Sequence, residues 1–268
     1  MTTMLFYDQV TPLNRDRHRT LRLKPMAGQA GFAATTHYVP LASSEFYQAA
    51  RDYPVIFAGS QGKLTPVVLL GLRPSENLFL QANGEWAKGT YVPAFVRRYP
   101  FILAKAEDES EYTVCIDDGF DGFSQDEGTL LFDSDGKDTA YLSKTVEFLN
   151  QFNAEMSHTQ AFVERLQALE LLVQRNLRVS DSQGRHFVLQ DFHVVDEDKL
   201  AALDDLTAGE LNRNGYLGWV HAHLVSLGNA ARLPTRLANS NTAEPPQAEV
   251  HLEEDQHTPD SSTADQAG

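Results

Sequence analysis

Short apolar runs separated by glycine, proline and asparagine dominate the first half of the chain: Pro54-Val-Ile-Phe57, Pro66-Val-Val-Leu-Leu70, Asn77-Leu-Phe-Leu80, Phe101-Ile-Leu103 and Tyr112-Thr-Val-Cys-Ile116. Runs of that length with such punctuation predict strands, and Asn83-Gly84 predicts a hairpin because both residues tolerate positive φ. One helix interrupts the strands, with Ser43 or Ser44 as N-cap, Glu45 in the first turn and an end before Pro54. A second short helix, Pro93 to Tyr99, is predicted from a proline at its opening and Pro100 at its close. From Thr139 to Asn176 the period turns helical, with Leu142, Val146, Leu149, Phe152, Met156, Val163, Leu166 and Val173 near one stripe. About 35 residues is long for one helix, so a break is expected near Ser157-His158-Thr159. Arg178 to Val195 returns to strand character, a hairpin turning at Asp181-Ser-Gln-Gly184. Asp196 then caps a helix through Leu203, and a last helix spans about Gly215 to Leu227. A strand-rich N-terminal half with an antiparallel or mixed sheet, followed by a helical C-terminal half, argues α+β over βαβ alternation. No internal repeat is evident.

Charge sharpens the boundaries. The 268 residues carry 37 Asp+Glu against 22 Lys+Arg, a net charge of -15. Arg15, Arg17, Arg19, Arg22 and Lys24 face only Asp16, so residues 1–30 read as a basic arm. Glu107 to Asp138 holds twelve carboxylates and one lysine, an acidic loop whose charges repel unless countered. After Leu237 the chain has seven acids, no lysine or arginine, and few large apolar residues. Such a segment buries too little surface to offset its ordering entropy, so 238–268 is read as a disordered acidic tail and 31–237 as one domain. A net charge this negative argues against nucleic acid as a partner. No window approaches the ~18 to 20 apolar residues of a membrane helix, so no membrane insertion is expected. The N-terminus lacks a continuous apolar core ahead of a cleavage site, which makes a cytoplasmic location the expectation. Cys115 is the only cysteine, which leaves no internal disulfide and no thiolate-rich metal site.

Few motifs carry chemistry. Ala58-Gly-Ser60-Gln-Gly62 approaches a nucleophile elbow, but Pro66 and a following strand replace the required helix, so it reads as a turn. Asp133-Ser-Asp135-Gly136-Lys-Asp138 imitates a calcium loop yet has Asp138 and Lys144 where glycine and glutamate belong, so it reads as a solvated turn. His221 and His223 lie about 200° apart on a helix and cannot chelate together. Asp191 and His193 share a strand face with His186 nearby, without a third spacing that confirms a metal triad. No cofactor is expected: G-x-G-x-x-G, Walker A and H-E-x-x-H are all absent from the sequence.

The densest unusual stretch is Trp86 to Phe101, with five aromatics, two adjacent arginines and two prolines in sixteen residues. One reading is a core clasp in which the rings pack and one arginine pairs with Asp117 and Asp118. The other makes Arg97 or Arg98 a fork for a carboxylate, a phosphate or an acidic peptide against an aromatic wall. The candidate binding residues are Trp86, Tyr91, Arg97, Arg98 and Tyr99.

With W-x-x-G-x-Y-V-P-x-x-x-R-R-Y-P-F at Trp86 to Phe101, the chain resembles the SapC family. The likeness extends through Tyr38-Val-Pro40-Leu41, Tyr53-Pro54-Val-Ile-Phe57, Glu76-Asn77-Leu-Phe79, Phe192-His-Val-Val-Asp196 and Gly215-Tyr-Leu-Gly-Trp-Val-His221-Ala-His223, most of residues 30 to 232. It implies a link to surface-layer or envelope proteins and brings no catalytic residues with it. The leading expectation is therefore a non-enzymatic accessory or binding protein that recognises a peptide or protein. The alternatives are an enzyme using Asp117, Asp191 and His193, and a self-assembling structural subunit. The sequence leaves the oligomeric state open.

Overall fold

A computed structural model describes residues 5–25, 28–60, 62–105, 112–180 and 184–242. Its strands are β1 (Val10–Pro12), β2 (Arg22–Leu23), β3 (Tyr38–Pro40), β4 (Val55–Ser60), β5 (Lys63–Leu69), β6 (Phe101–Lys105), β7 (Tyr112–Asp117), β8 (Phe123–Ser124), β9 (Thr129–Leu130), β10 (Leu172–Ser180) and β11 (His186–Val195). Its α-helices are α1 (Phe46–Ala49), α2 (Ala94–Arg97), α3 (Ala140–Ala168), α4 (Glu197–Ala201), α5 (Asp205–Arg213), α6 (Tyr216–Ser226) and α7 (Leu233–Thr242).

The strands form a five-stranded sheet in the order β10-β11-β4-β5-β3 and two three-stranded sheets, β1-β7-β6 and β8-β2-β9. Every pairing is antiparallel, as a strand-rich half without crossover helices requires. Ser60 pairs with Lys63 across a tight hairpin, so the Gly-Ser stretch at 58–62 is a strand turn and builds no nucleophile elbow. The run at Asn77 to Leu80 is not a strand. Leu80 makes one isolated bridge to Trp86, and Gly84 alone takes positive φ at 78° in the turn between them.

Helix α3 runs unbroken through Ser157 and Thr159, against the expected break. Their hydroxyls donate back to Asn153 O at 3.1 Å and Glu155 O at 2.7 Å, satisfying themselves within the helix rather than interrupting it. The end comes earlier than expected, at Ala168, and residues 172–176 are strand. Glu170 takes the left-handed conformation at φ 54°, Glu170 N–H donates to Gln167 O, and Leu171 N–H donates to Leu166 O. This is a Schellman cap formed without glycine. At the other helix start, Ala42 rather than Ser43 or Ser44 takes the N-cap position. Glu45 Oε2 accepts from Ala42 N–H at 3.2 Å, and Ser43 N–H is spent on Thr159 Oγ1 at 2.8 Å, tying this turn to α3.

Helix α6 and the short α4 fall where expected, α4 capped by Asp196. Helices α5 and α7 were not anticipated, and α7 carries five residues past Leu237 into the stretch read as tail. Residues 243–268 lie outside the described residues, as do 181–183 of the turn expected at 181–184. The main core joins the five-stranded sheet to α3, α6 and α7 through Phe46, Tyr53, Phe57, Phe162, Val220 and Leu237. A second cluster, with Phe101, Ile116, Leu131, Leu142 and Leu149, seats the first turns of α3 on the smaller sheets.

The basic stretch at 15–24 is built into the fold. Arg17 pairs with Asp118, Arg15 with Asp138 at 3.3 Å, Arg19 donates to Ser134 O, and Arg22 donates to Gly128 O. Asp118 and Asp138 of the acidic stretch are thereby countered by the preceding segment, and the Asp118 partner is Arg17 rather than Arg97 or Arg98. No described helix is long and apolar enough to cross a membrane.

Candidate functional site

The stretch from Trp86 to Phe101 is anchored first by its own rings. Trp86 is buried, its indole N–H donates to Tyr53 Oη at 2.9 Å, and it stacks toward Phe79. Tyr53 Oη in turn donates to Tyr91 O. Tyr91 N–H donates to Asp52 Oδ2 at 2.8 Å and its hydroxyl to Glu45 Oε1 at 2.6 Å. Burial, then that carboxylate, pushes the Tyr91 phenol up to about 12. Glu45 also accepts from Ala94 N–H at 2.7 Å, so one carboxylate satisfies the first free amide of α2. Pro93 sits at the N-cap with extended ψ, one position ahead of the first helical residue.

The two arginines diverge. Arg97 is exposed and reaches back along its own segment, donating from Nε to Val92 O at 3.0 Å and from Nη2 to Tyr91 Oη at 3.3 Å, with Glu45 Oε1 at 3.9 Å and the Phe148 ring 5.2 Å away. Arg98 points inward. Its guanidinium carbon lies 3.9 Å from the Phe95 ring centre, 5.2 Å from Phe152 and 5.8 Å from Tyr7. Desolvation lowers its pKa, and among the described residues no carboxylate forms an ion pair with it. Aromatic faces and the Tyr7 hydroxyl compensate the charge instead.

Tyr99 brings the segment to an opening. Its ring stacks on Phe32 at 4.0 Å and contacts Tyr7 edge-on at 5.3 Å. A cleft of about 720 Å³ opens there, walled by Phe6, Tyr7, Phe32, Tyr38, Phe95 and Tyr99. Its lining comes from segments far apart in sequence, residues 5–8 packing edge-on against the rings of Phe32, Phe95 and Tyr99. Buried Asp117 joins them: Oδ1 accepts from Gln9 N–H at 2.9 Å, while Oδ2 accepts from Asp8 N–H at 3.2 Å and from the Tyr99 hydroxyl at 3.0 Å. Burial and then the Asp117 charge raise the Tyr99 pKa, so the phenol stays a donor. Tyr38, on the edge strand β3, is 41% exposed and forms the outer rim. Asp8 is the one charged residue in the lining.

Of the five sequence candidates, Tyr99 lines this cleft, Arg97 lines two smaller recesses beside it, and Trp86 closes the floor of one of these. Tyr91 and Arg98 support the walls. The sequence reading missed Phe6, Tyr7, Phe32 and Tyr38. The one signal available was aromatic residues among small and polar neighbours in otherwise unassigned stretches.

The residues offered for an enzymatic reading do not converge. Asp117 belongs to β7 and is spent on the backbone of 8–9. Asp191, at φ 60°, sits within an irregularity in the β10–β11 pairing and accepts from Gln174 Nε2 at 2.8 Å. His193 lies further along β11, opposite Phe57. His186 meets Ser180 near the hairpin end. His221 is exposed, whereas His223 is fully buried, as their helical spacing requires. At the calcium-like stretch, Asp133 Oδ1 accepts from Asp135 N–H and Lys137 N–H, each at 2.9 Å, which is a side-chain-closed turn. Among the described residues no group of three His, Cys, Asp or Glu side chains has the arrangement of a metal site.

A family model with the description SapC matches residues 13–233. No curated protein and no solved structure matches the chain.

Proposed function

The chain belongs to the SapC family, and from that premise we propose that it is a non-enzymatic binding protein that takes an extended polypeptide segment of its partner into the aromatic cleft. The observation that carries this reading is the cleft itself: about 720 Å³, open, six aromatic rings and a single charged lining residue. Rings fixed by packing offer large contact area at little entropic cost, which suits recognition of polypeptide side chains and proline. Proteins of the envelope or surface layer are the partner class this reading favours, following the family resemblance. Acid-base or nucleophilic catalysis needs its groups gathered in one cleft, whereas Asp117 ends β7 and is engaged with the backbone of residues 8–9 and Tyr99, while Asp191 and His193 lie on β11 and line none of the recesses described above.

The test is selection of a displayed random peptide library on the full chain, followed by measurement of each selected peptide on two variants. Thr35→Trp fills the cleft from an exposed lining position, and Tyr38→Ala removes its rim. Peptides selected on the parent are expected to lose at least tenfold in affinity on Thr35→Trp and severalfold on Tyr38→Ala. Equal affinity on all three proteins, or no enrichment at all, overturns the reading.

A further inference from the structure

A second, smaller recess of about 190 Å³ shares no lining residue with the aromatic cleft. The turn at 43–45 and α2 form one wall. The other is a single face of α3, where Phe148, Gln151, Phe152 and Glu155 follow at intervals of three, one and three residues.

The groups on its surface differ in how far they are already engaged. Glu45 is saturated, accepting from Tyr91, Ala94 and Ala42, and its remaining charge faces Arg97 at 3.9 Å. Those two offset each other. The Glu155 carboxylate, by contrast, makes no hydrogen bond or ion pair with any described residue, and neither the Gln151 amide nor the Ser44 hydroxyl has a partner there. All three line the recess, so it presents one uncompensated negative charge and two further acceptors, while its Phe148 and Phe152 rings already lie 5.2 Å from the Arg97 and Arg98 guanidinium groups. A volume on the order of six water molecules fits a head group rather than a long chain.

An anion would meet the uncompensated Glu155 charge, and a neutral apolar group would cover that half-buried carboxylate without pairing it. A group with several N–H donors and one positive charge matches what is left open: donors to Glu155, Gln151 and Ser44, and charge against the unpaired Glu155 carboxylate. We propose that this recess binds an organic monocation, an alkylammonium or guanidinium group, as presented by a lysine or arginine side chain. Where that side chain belongs to the partner polypeptide, the proposal rests on the cleft reading. The recess itself is testable without the partner.

The probe is Nα-acetyl-L-arginine methylamide, titrated into the full chain by calorimetry and by amide shifts in ¹⁵N-labelled protein, with the neutral citrulline analogue as its isosteric control. Binding of the arginine probe, at least tenfold weaker binding of the citrulline probe, and shifts centred on residues 148–155 are expected. Glu155→Gln, a change on an incompletely buried helix surface, should weaken the arginine probe at least tenfold. Glu155→Lys should abolish binding by supplying an ammonium from the chain itself. Butylguanidinium separates the sources: affinity equal to the capped probe marks the head group alone as the recognised unit, and weaker affinity adds a contribution from the polypeptide backbone. Equal binding of arginine and citrulline probes, unchanged binding by Glu155→Gln, or no shifts at 148–155 overturns the proposal. Thr35→Trp, which blocks the aromatic cleft, should leave the probe's affinity unchanged, so loss of peptide binding and loss of cation binding are read separately.

Discussion

Lowering the pH from 7.5 to 5 should remove about 2 kcal/mol of stability through one side chain, His223. Its imidazole is fully buried against β4 and β11. Nδ1–H donates to Val55 O at 2.8 Å, and Nε2 accepts from Val195 N–H at 3.1 Å, an arrangement that only the neutral ring with its proton on Nδ1 can make. Burial holds the pKa down to about 4, against about 6.5 in the unfolded chain. Between those values the unfolded chain takes up a proton that the folded chain refuses, so stability falls as pH falls through 6.5, and the loss saturates below about 4 at roughly 3 kcal/mol. Urea denaturation followed by tryptophan fluorescence at pH 7.5, 6.5, 5.5 and 5.0 measures this directly. His223→Asn supplies the control. Its amide keeps a donor for Val55 O but leaves Val195 N–H without an acceptor, costing about 1–3 kcal/mol at pH 7.5. Because the variant lacks the titrating ring, the stability gap should narrow by about 2 kcal/mol between pH 7.5 and 5. His18 and His37, whose pKa values burial also lowers, contribute equally to both proteins and drop out of the difference. A gap constant across the series would refute the reasoning.

Three further changes test the packing around the site. Glu170→Gly relieves the left-handed strain at the end of α3 and should stabilise by roughly 0.5–1 kcal/mol, seen as a thermal midpoint higher by about 1–4 °C. Thr159→Val removes the acceptor of Ser43 N–H inside the core, and chemical denaturation should show a loss of about 1–3 kcal/mol despite the conserved volume. Arg98→Met keeps the packing between Phe95 and Phe152 while discarding a desolvated charge that has no carboxylate partner. It should be neutral or stabilising by about 1–2 kcal/mol, whereas Arg98→Ala should destabilise by a similar amount or more, both read by urea denaturation.

Much of the sheet was legible because apolar runs between glycine and proline mark β4, β5, β6 and β7 directly. The end of α3 was not. Val173 continues the helical stripe by coincidence, and the residue that turns the chain is a glutamate, which carries none of the signal a glycine would. Helix α5 hid behind its composition: Leu206 is 78% exposed and Leu211 is its one buried residue, so it has almost no apolar face to detect. The basic and acidic stretches were each visible, but their pairing joins residues 101 to 123 positions apart, a separation that composition does not encode. The cleft was hidden for the same reason. The pairing of β1 with β7, the Asp117 carboxylate and the Tyr7 hydroxyl bond to Phe101 O together carry Phe6 and Tyr7 to Tyr99, so the conspicuous Trp86 to Phe101 stretch showed one part of a surface whose other part stood ninety residues earlier.

Asp117 gives that surface a mechanical property. A jaw whose upper and lower parts hang from the same hinge pin cannot gape by moving one part alone, and here the amides of residues 8 and 9 and the phenol of Tyr99 hang from one carboxylate. Under the proposed function, an incoming segment would therefore meet a mouth already held at its working width, and little of its attraction would be spent on setting the gap.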